Sequence, residues 1–346
     1  MTNKSISERN ASDDLIRLFS VFLVIMVHAD NQPWSGIPIL SALIRMILLF
    51  SNSFFYMLSG KYNIGIEFNE AGDYLKYYKK KFVNIVFPYV FVSILLSIWN
   101  LRKIPNLDFG STPVALYYLK SSLKDLISSN SSTHLWFMFG LIGYLLSAPF
   151  LSKMFHAMSN IELHILYGII ILWNTITVLI FPFFNEPFGY HGWFLTGWMI
   201  HFCLGYYVDR AVTSSNAKLF YVMGICGAFI NVMGATFFAD RFSNPNDLAP
   251  TFIITCVGVM AFLQRKLNVS DERLKRITRF MSGYYFYIYM VHFNILKYIT
   301  PNITNAIPKG LRFIPDVMVT FCISFVCSII LKIVITPCSN LLKKIL

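Results

Sequence analysis

The chain has 346 residues, of which 56% are hydrophobic and only 13% are charged, with a formal net charge of +12. A soluble domain carries about a quarter of its residues charged, so this composition excludes an ordinary soluble domain and points to a multi-pass membrane protein. The positive charge does not imply nucleic acid: the basic residues sit in short loops between apolar blocks and offer no soluble basic face on which a duplex would dock.

The polar start, "MTNKSISERNASDD", lacks the basic n-region of a signal peptide, and no small-x-small cleavage site follows the first apolar block. That block is therefore expected to remain as a signal-anchor helix. Apolar blocks long enough to span, or nearly so, follow one another at 15–30, 38–60, 82–100, 135–153, 163–184, 192–208, 218–238, 249–264, 280–299 and 315–337. They predict an all-α polytopic fold of about ten transmembrane helices. A single transmembrane domain is expected over 1–346, with no fused soluble domain. Segment 113–127 reads as an interfacial helix, and the tail after Pro337 as a short basic stub. The cysteines Cys203, Cys226, Cys256, Cys322, Cys327 and Cys338 lie mostly within apolar blocks and form no CxxC pair. They read as small packing residues rather than disulfides or zinc ligands.

The loops suggest an orientation. With the N-terminus in the cytoplasm, inner loops 61–81 and 265–279 hold Lys61, Lys76, Lys79, Lys80, Lys81, Arg265, Lys266, Arg273, Lys275, Arg276 and Arg279. The outer loops 31–37 and 185–191 hold no lysine or arginine. Loop 101–133, with Arg102, Lys103, Lys120 and Lys124, weakens the bias without reversing it. Both termini are expected on the cytoplasmic side.

A charge in hydrocarbon is costly, so each ionisable group at membrane depth asks for a reason. Arg17 and His28 lie in "IRLFSVFLVIMVHAD", with nothing ionisable between them. At about 100° per residue their spacing places both on one helix face, roughly 16 Å apart along the axis. Taken alone, Arg17 reads as a snorkelling anchor or a functional cation, and His28 as an interfacial histidine or a functional base. His134 opens "THLWFMFGLIGYLL" on the same side as His28, and its aromatic neighbours also suit an interfacial belt. Tyr289 and His292 share one turn of "YYFYIYMVHFNIL", and His191 and His201 add two more imidazoles. Several histidines at membrane depth predict an interior polar chamber, in which proton transfer near neutral pH is a natural role. Ser59 and Gly60 end the second block and permit close backbone approach. Lys79, Lys80 and Lys81 stand just before the third block, either as a positive-inside anchor or as a cationic mouth for the phosphates of a nucleotide-bearing donor. No P-loop, GxSxG elbow, dinucleotide fingerprint or HExxH spacing occurs, so neither metal catalysis nor an ATP-driven pump is expected.

In this order the landmarks resemble the acyltransferase-3 family of bacterial membrane O-acyltransferases. The likeness extends to its single-domain branch, which includes the O-acetyltransferase of enterobacterial common antigen. Arg17 and His28 match the family's basic residue, ten residues, then histidine on the first helix, and Asp14 fits its usual acidic residue three before. Phe54 to Gly60 looks like the Phe-Phe-x-x-Ser-Gly end of the second helix with one extra residue. His134-Leu135-Trp136-Phe137 and Tyr289-x-x-His292 complete the set, which runs from residue 14 to about 295. The chain departs from the pattern at Lys81 and Asn84, where the family usually carries arginines, and at Leu18, where a small residue is common. Lysine still pairs with phosphate as a point charge but lacks the bidentate fork.

The resemblance implies transfer of an acyl group, commonly acetyl, from cytosolic acetyl-CoA or another acyl-CoA to a hydroxyl of a surface or lipid-linked glycan, in a bacterial inner membrane. It implies no permanently bound cofactor, and partners that are acyl-CoA, the glycan acceptor and membrane lipids. His28 would act as general base or as a transient acyl carrier, with donor phosphates near Arg17 and Lys79, Lys80 and Lys81. His134 would shape the acceptor site or stabilise charge on the thioester oxygen. Asp14, Ser59, Tyr289 and His292 would line the chamber. Asp30, two residues beyond His28, would point to another face of a continuing helix. The rival reading is an exporter or flippase for polysaccharide or lipid precursors, whose inverted repeats and paired broken helices are not evident.

Overall fold

The computed structural model describes residues 10–30, 32–103, 113–128, 133–180, 195, 197–238 and 248–346, and among them every regular element is helical. Helix α1, Ala11–His28, starts where the Asn10 side chain accepts a 2.9 Å bond from the Ser12 amide. Asp13 and Asp14 occupy its first turn, where carboxylates suit the helix dipole. The chain leaves the helix at Ala29, which is extended, so Asp30 does not continue the helical face. Helix α2, Pro38–Ile64, carries Pro at its first position, where the missing amide hydrogen would be unpaired anyway. It does not end at Ser59–Gly60; it continues four more residues.

The expected inner loop 61–81 is largely helical. Helix α3, Ala71–Lys81, opens with a capping box between Glu70 and Asp73 and runs through a wider π-helical turn, Phe82–Val86, into α4, Phe87–Leu101. Pro88 explains the wide turn: its ring would strike the carbonyl of Asn84 four residues earlier in a regular α-helix, and it has no amide to donate. Lys79, Lys80 and Lys81 therefore sit on a continuous helix rather than in a loop before one.

Helix α5, Val114–Ile127, fills the segment expected to lie along the interface. A 3₁₀ turn, Thr133–Leu135, leads into α6, Trp136–Ala157. Helix α7, Asn160–Asn174, is capped by Ser159 and prolonged by a π-helical turn to Ile180. Helices α8, Met199–Ala211, α9, Ala217–Phe237, and α10, Pro250–Lys266, follow. The expected loop 265–279 contains most of α11, Glu272–Ser282, whose strongly amphipathic sequence is capped by Asp271 accepting from the Arg273 and Leu274 amides. Helices α12, Tyr285–Tyr298, α13, Thr300–Thr304, and α14, Phe313–Ile345, complete the chain. The last contains Pro337 within its length, so the expected stub is helical.

Among the described residues six helices are long and apolar enough to cross a membrane: 38–64, 71–101, 136–157, 160–180, 217–237 and 313–345. The remaining expected spans are shorter or, in α1, interrupted by Asp13, Asp14 and Arg17. At about 1.5 Å per residue, the 13 residues of α8 reach only about 20 Å.

Two pairs of glycines set the packing. A Cβ built on Gly60 of α2 would lie 1.6 Å from the Phe202 carbonyl oxygen of α8, and one on Gly205 of α8 would lie 1.6 Å from the Met57 carbonyl oxygen of α2. Gly224 of α9 and Gly258 of α10 meet in the same way, each Cβ falling within 3 Å of the other's Cα. Between helices in lipid, such backbone proximity replaces the hydrophobic drive that water supplies elsewhere. Much of the apolar remainder faces outward, including Phe150, Leu172, Ile225, Phe229 and Ile333, as a lipid-facing surface requires.

Candidate active site

The N-terminal turns of α1 and the C-terminal turns of α2 carry a charge network. Asp14 is fully buried and its Oδ1 lies 2.8 Å from Nη1 of Arg17, one turn on. The Arg17 guanidinium stacks 5.0 Å above the Tyr62 ring, whose hydroxyl donates to Asp13 at 2.5 Å. Asp13, also fully buried, receives Lys61 at 3.0 Å, and Lys61 reaches Asp209 of α8 at 3.2 Å. This network fixes the roots of Arg17 while its planar guanidinium keeps further donors for a ligand. Arg17 lines a cavity of about 250 Å³ together with Ser59, Asn84, Tyr285, Phe286 and Tyr289. Asn84 enters it from the π-helical turn, a distortion that recurs at functional sites.

His28, at the other end of α1, lines a second cavity of about 430 Å³ with Asp30, Phe293, Lys297, Arg312 and Asp316. Because α1 stops at His28, Asp30 turns back into the same cavity instead of onto another helix face.

A wall of aromatic rings stands between the two cavities. The His292 ring lies 5.6 Å from that of His28 and 4.8 Å from that of His134, and Phe293 touches both His28 and His134 at just over 5 Å. His134 and His292 are completely buried. Nε2 of His134 lies 3.1 Å from the Met290 carbonyl, which can only accept, so Nε2 carries the proton in this contact. In return the Tyr289 hydroxyl donates to the His134 carbonyl at 2.5 Å. These two bonds clasp the start of α6 to α12. Nδ1 of His292 likewise donates to the Tyr289 carbonyl at 2.7 Å, and its Nε2 has no hydrogen-bond partner among the described residues. With Nε2–H committed to a carbonyl, His134 is better placed to align its neighbours than to donate to a thioester oxygen.

The expected site residues thus separate into groups. Arg17, Ser59 and Tyr289 border one cavity, with Asp14 buried behind Arg17; His28 borders the other; His134 and His292 fill the wall. The lysine triad stands apart from all of these. Three consecutive helical residues point about 100° from one another, so they do not form one mouth. Lys79 bonds the Leu346 carbonyl, Lys80 is exposed, and Lys81 covers the Tyr77 ring at 5.1 Å beside a separate apolar recess. His201 is buried against Trp198 and Phe252, and His191 lies outside the described residues.

Sequence reasoning missed Asp13, Tyr62 and Asp209, and placed Lys61 only as a loop charge. The adjacent acidic pair at the start of the first apolar block was the signal available, since two carboxylates entering a membrane require cations. It also missed Lys297, Arg312 and Asp316 as neighbours of His28.

A helical membrane bundle with a cavity bordered by Arg17 at one end of α1, a cavity bordered by His28 at the other and imidazoles in the wall between them has the parts of a membrane group-transfer enzyme. Comparison of the sequence with protein families identifies which: the acyltransferase-3 family, described as an acyltransferase domain, matches residues 10–335, and the chain belongs to it. It is therefore a membrane acyltransferase in the general sense. Comparisons with curated proteins and with solved structures returned no match.

Proposed function

We propose that the protein moves an acetyl group from cytosolic acetyl-CoA to a hydroxyl of a cell-surface or lipid-linked glycan, with His28 as general base, in a bacterial inner membrane and with its N-terminus in the cytoplasm. The observation that carries this reading is the pair of cavities at opposite ends of α1, one bordered by Arg17 and the other by His28, with the imidazole wall between them. The resemblance to the branch that acetylates enterobacterial common antigen supports a glycan as acceptor.

In this reading the thioester arm enters the Arg17 cavity, and the guanidinium holds a donor phosphate through paired N–H bonds. Lys79, Lys80 and Lys81 raise the local concentration of the anionic donor from the flank rather than grip it. The acceptor hydroxyl reaches His28 from the other cavity. Imidazole takes its proton as the oxygen bonds to the thioester carbonyl carbon. The carbon–sulfur bond then breaks, and the thiolate leaves and is protonated, so that an ester and free CoA result. His292, fixed by the Tyr289 carbonyl, holds the ring of His28 in orientation.

Membranes containing the wild type or His28→Ala, given labelled acetyl-CoA, test the assignment. The wild type is expected to transfer label to glycan, and the variant to lose about 10²–10⁴-fold of that rate. Equal incorporation by both proteins would sink the role of His28.

A further inference from the structure

Helices α4, α12 and α14 leave a groove between them that the proposed reaction does not use. Val92, Leu96 and Trp99 of α4, Ile295 of α12, Leu331 of α14 and Ile299 line about 280 Å³ of almost wholly apolar space. The amide among the lining side chains, Asn294, bonds Asn100 at 3.2 Å, so the groove presents hydrocarbon. From Val92 to Trp99 it follows α4 for about 10 Å of helix axis. Both α4 and α14 belong to helices long and apolar enough to span, and Leu95, Trp99 and Ile330 on its rim are exposed, so the groove opens sideways to lipid. A packed helix is a poor occupant. Helices α4, α12 and α14 contain no glycine or alanine, the residues that let two helix backbones approach in a membrane.

Two cations stand where the groove ends. Helix α4 stops at Leu101 and α12 at Tyr298, and Lys103 and Lys297 lie beside these ends. Nζ of Lys103 sits over the Tyr298 ring and 4.8 Å from the centroid of Trp99, which lines the groove. Nζ of Lys297 lies 5.4 Å from the same Tyr298 centroid, so two ammonium groups gather about one ring. Partial desolvation and the charge of Lys297 push the Lys103 ammonium below the ordinary lysine range. Among the described residues neither lysine forms an ion pair with a carboxylate. Like charges held together without a counter-ion repel. Topology gives no reason for them either: in the proposed orientation both face the outer side, where the positive-inside bias places few lysines.

We infer that this groove seats an anionic phospholipid of the outer leaflet, with one acyl chain between α4, α12 and α14 and the phosphate between Lys103 and Lys297. An apolar trough with cations at headgroup level is complementary to such a lipid at both ends. A zwitterionic headgroup would bring its own ammonium to the same cations, and free phosphate would gain nothing from the trough. Lys297 also borders the His28 cavity, so the headgroup stands at the rim of that cavity. The choice of leaflet rests on the proposed orientation. The seat itself depends neither on that nor on acetyl-CoA or His28.

Quenching of Trp99 in the full chain tests the seat. The protein is reconstituted in phosphatidylcholine vesicles with a rising share of phosphatidylglycerol or phosphatidylcholine brominated on the acyl chains. The chain has six tryptophans, so the Trp99 signal is the difference between wild type and Trp99→Phe. Brominated phosphatidylglycerol is expected to half-quench that signal at an about tenfold lower mole fraction than brominated phosphatidylcholine. Lys103→Gln, measured against its own Trp99→Phe partner, should lose most of this preference, and Lys103→Arg should keep it. Raising salt to about 1 M should shrink the preference of the wild type without any change to the chain. Equal quenching by the two lipids would mean ordinary contact with surrounding lipid and would overturn the inference. A preference unmoved by both Lys103→Gln and salt would place the anion elsewhere and overturn it too. So would the absence of Trp99 quenching by either lipid, which would leave the groove to a second copy of the chain. Transfer of label to glycan is not read in this experiment, so failure of the lipid seat leaves the proposed reaction standing, and loss of that reaction leaves the seat.

Discussion

Asp13 and Lys61 show how a single ion pair is held at the edge of this bundle. Asp13 is fully buried, and its Oδ2 is shared by Lys61 at 3.0 Å and the Tyr62 hydroxyl at 2.5 Å. Removing one partner of a buried pair leaves an uncompensated charge and typically costs about 3–5 kcal/mol. Lys61→Met is expected to lower stability toward the bottom of that range, because Tyr62 still donates to the carboxylate. The double variant Lys61→Met/Asp13→Asn should recover much of the loss. Thermal unfolding in detergent checks both, and a double variant no more stable than the single one would show that the pair does not act as a unit. At this scale the sequence was legible where chemistry is local. Arg17, Asp14 and His28 declare themselves by their spacing on one apolar helix. Lys61 did not, because its partner lies 48 positions earlier and its own neighbours read as a loop.

At the scale of elements, the apolar blocks located the helices well, since a hydrocarbon core dictates both length and composition. What they could not reveal was continuity past the apolar stretch. Helix α2 outruns Gly60, α3 joins α4 through a π-helical turn forced by Pro88, and α14 carries Pro337 inside it. Hydropathy falls at these points while the hydrogen-bond ladder goes on, so polarity alone marks an end where there is none. The glycine contacts belong to this scale too. Gly60 faces the Phe202 carbonyl so closely that even a methyl group has no place without moving a helix backbone. Gly60→Ala is expected to cost about 1–3 kcal/mol or more, as overpacking does, while Gly143→Ala, where nothing lies within 4 Å, should be tolerated. Melting temperatures in detergent distinguish them, and an unshifted midpoint for Gly60→Ala would deny the close approach of α2 and α8.

For the whole molecule, charge distribution and cavity placement matter more than any single contact. The net charge of +12 gives the protein a positive field, which in the proposed function would draw the anionic donor toward it. Replacing Lys79, Lys80 and Lys81 together by glutamine is expected to raise the KM for acetyl-CoA about tenfold at low salt, with each exposed pair contributing up to about 1 kcal/mol. The difference should shrink as salt rises, with kcat little changed. A KM unchanged at low salt would return the triad to a purely topological role. The two cavities were the part of the site least legible in sequence. The second is assembled from α1, α12 and the far end of the chain, and Asp316 and Arg312 resemble an ordinary helix start until His28 is placed opposite them.

The clasp between His134 and α12 has a bearing on the membrane's other task, that of an electrical insulator. The Tyr289 hydroxyl donates to the His134 carbonyl and His134 Nε2 donates to the Met290 carbonyl, so the wall between the cavities is tied both to α12 and to the turn that opens α6. The cavities it separates have no lining residue in common. In the proposed function the two substrates would meet through this partition, and transfer would need no continuous water-filled path for ions across the bilayer.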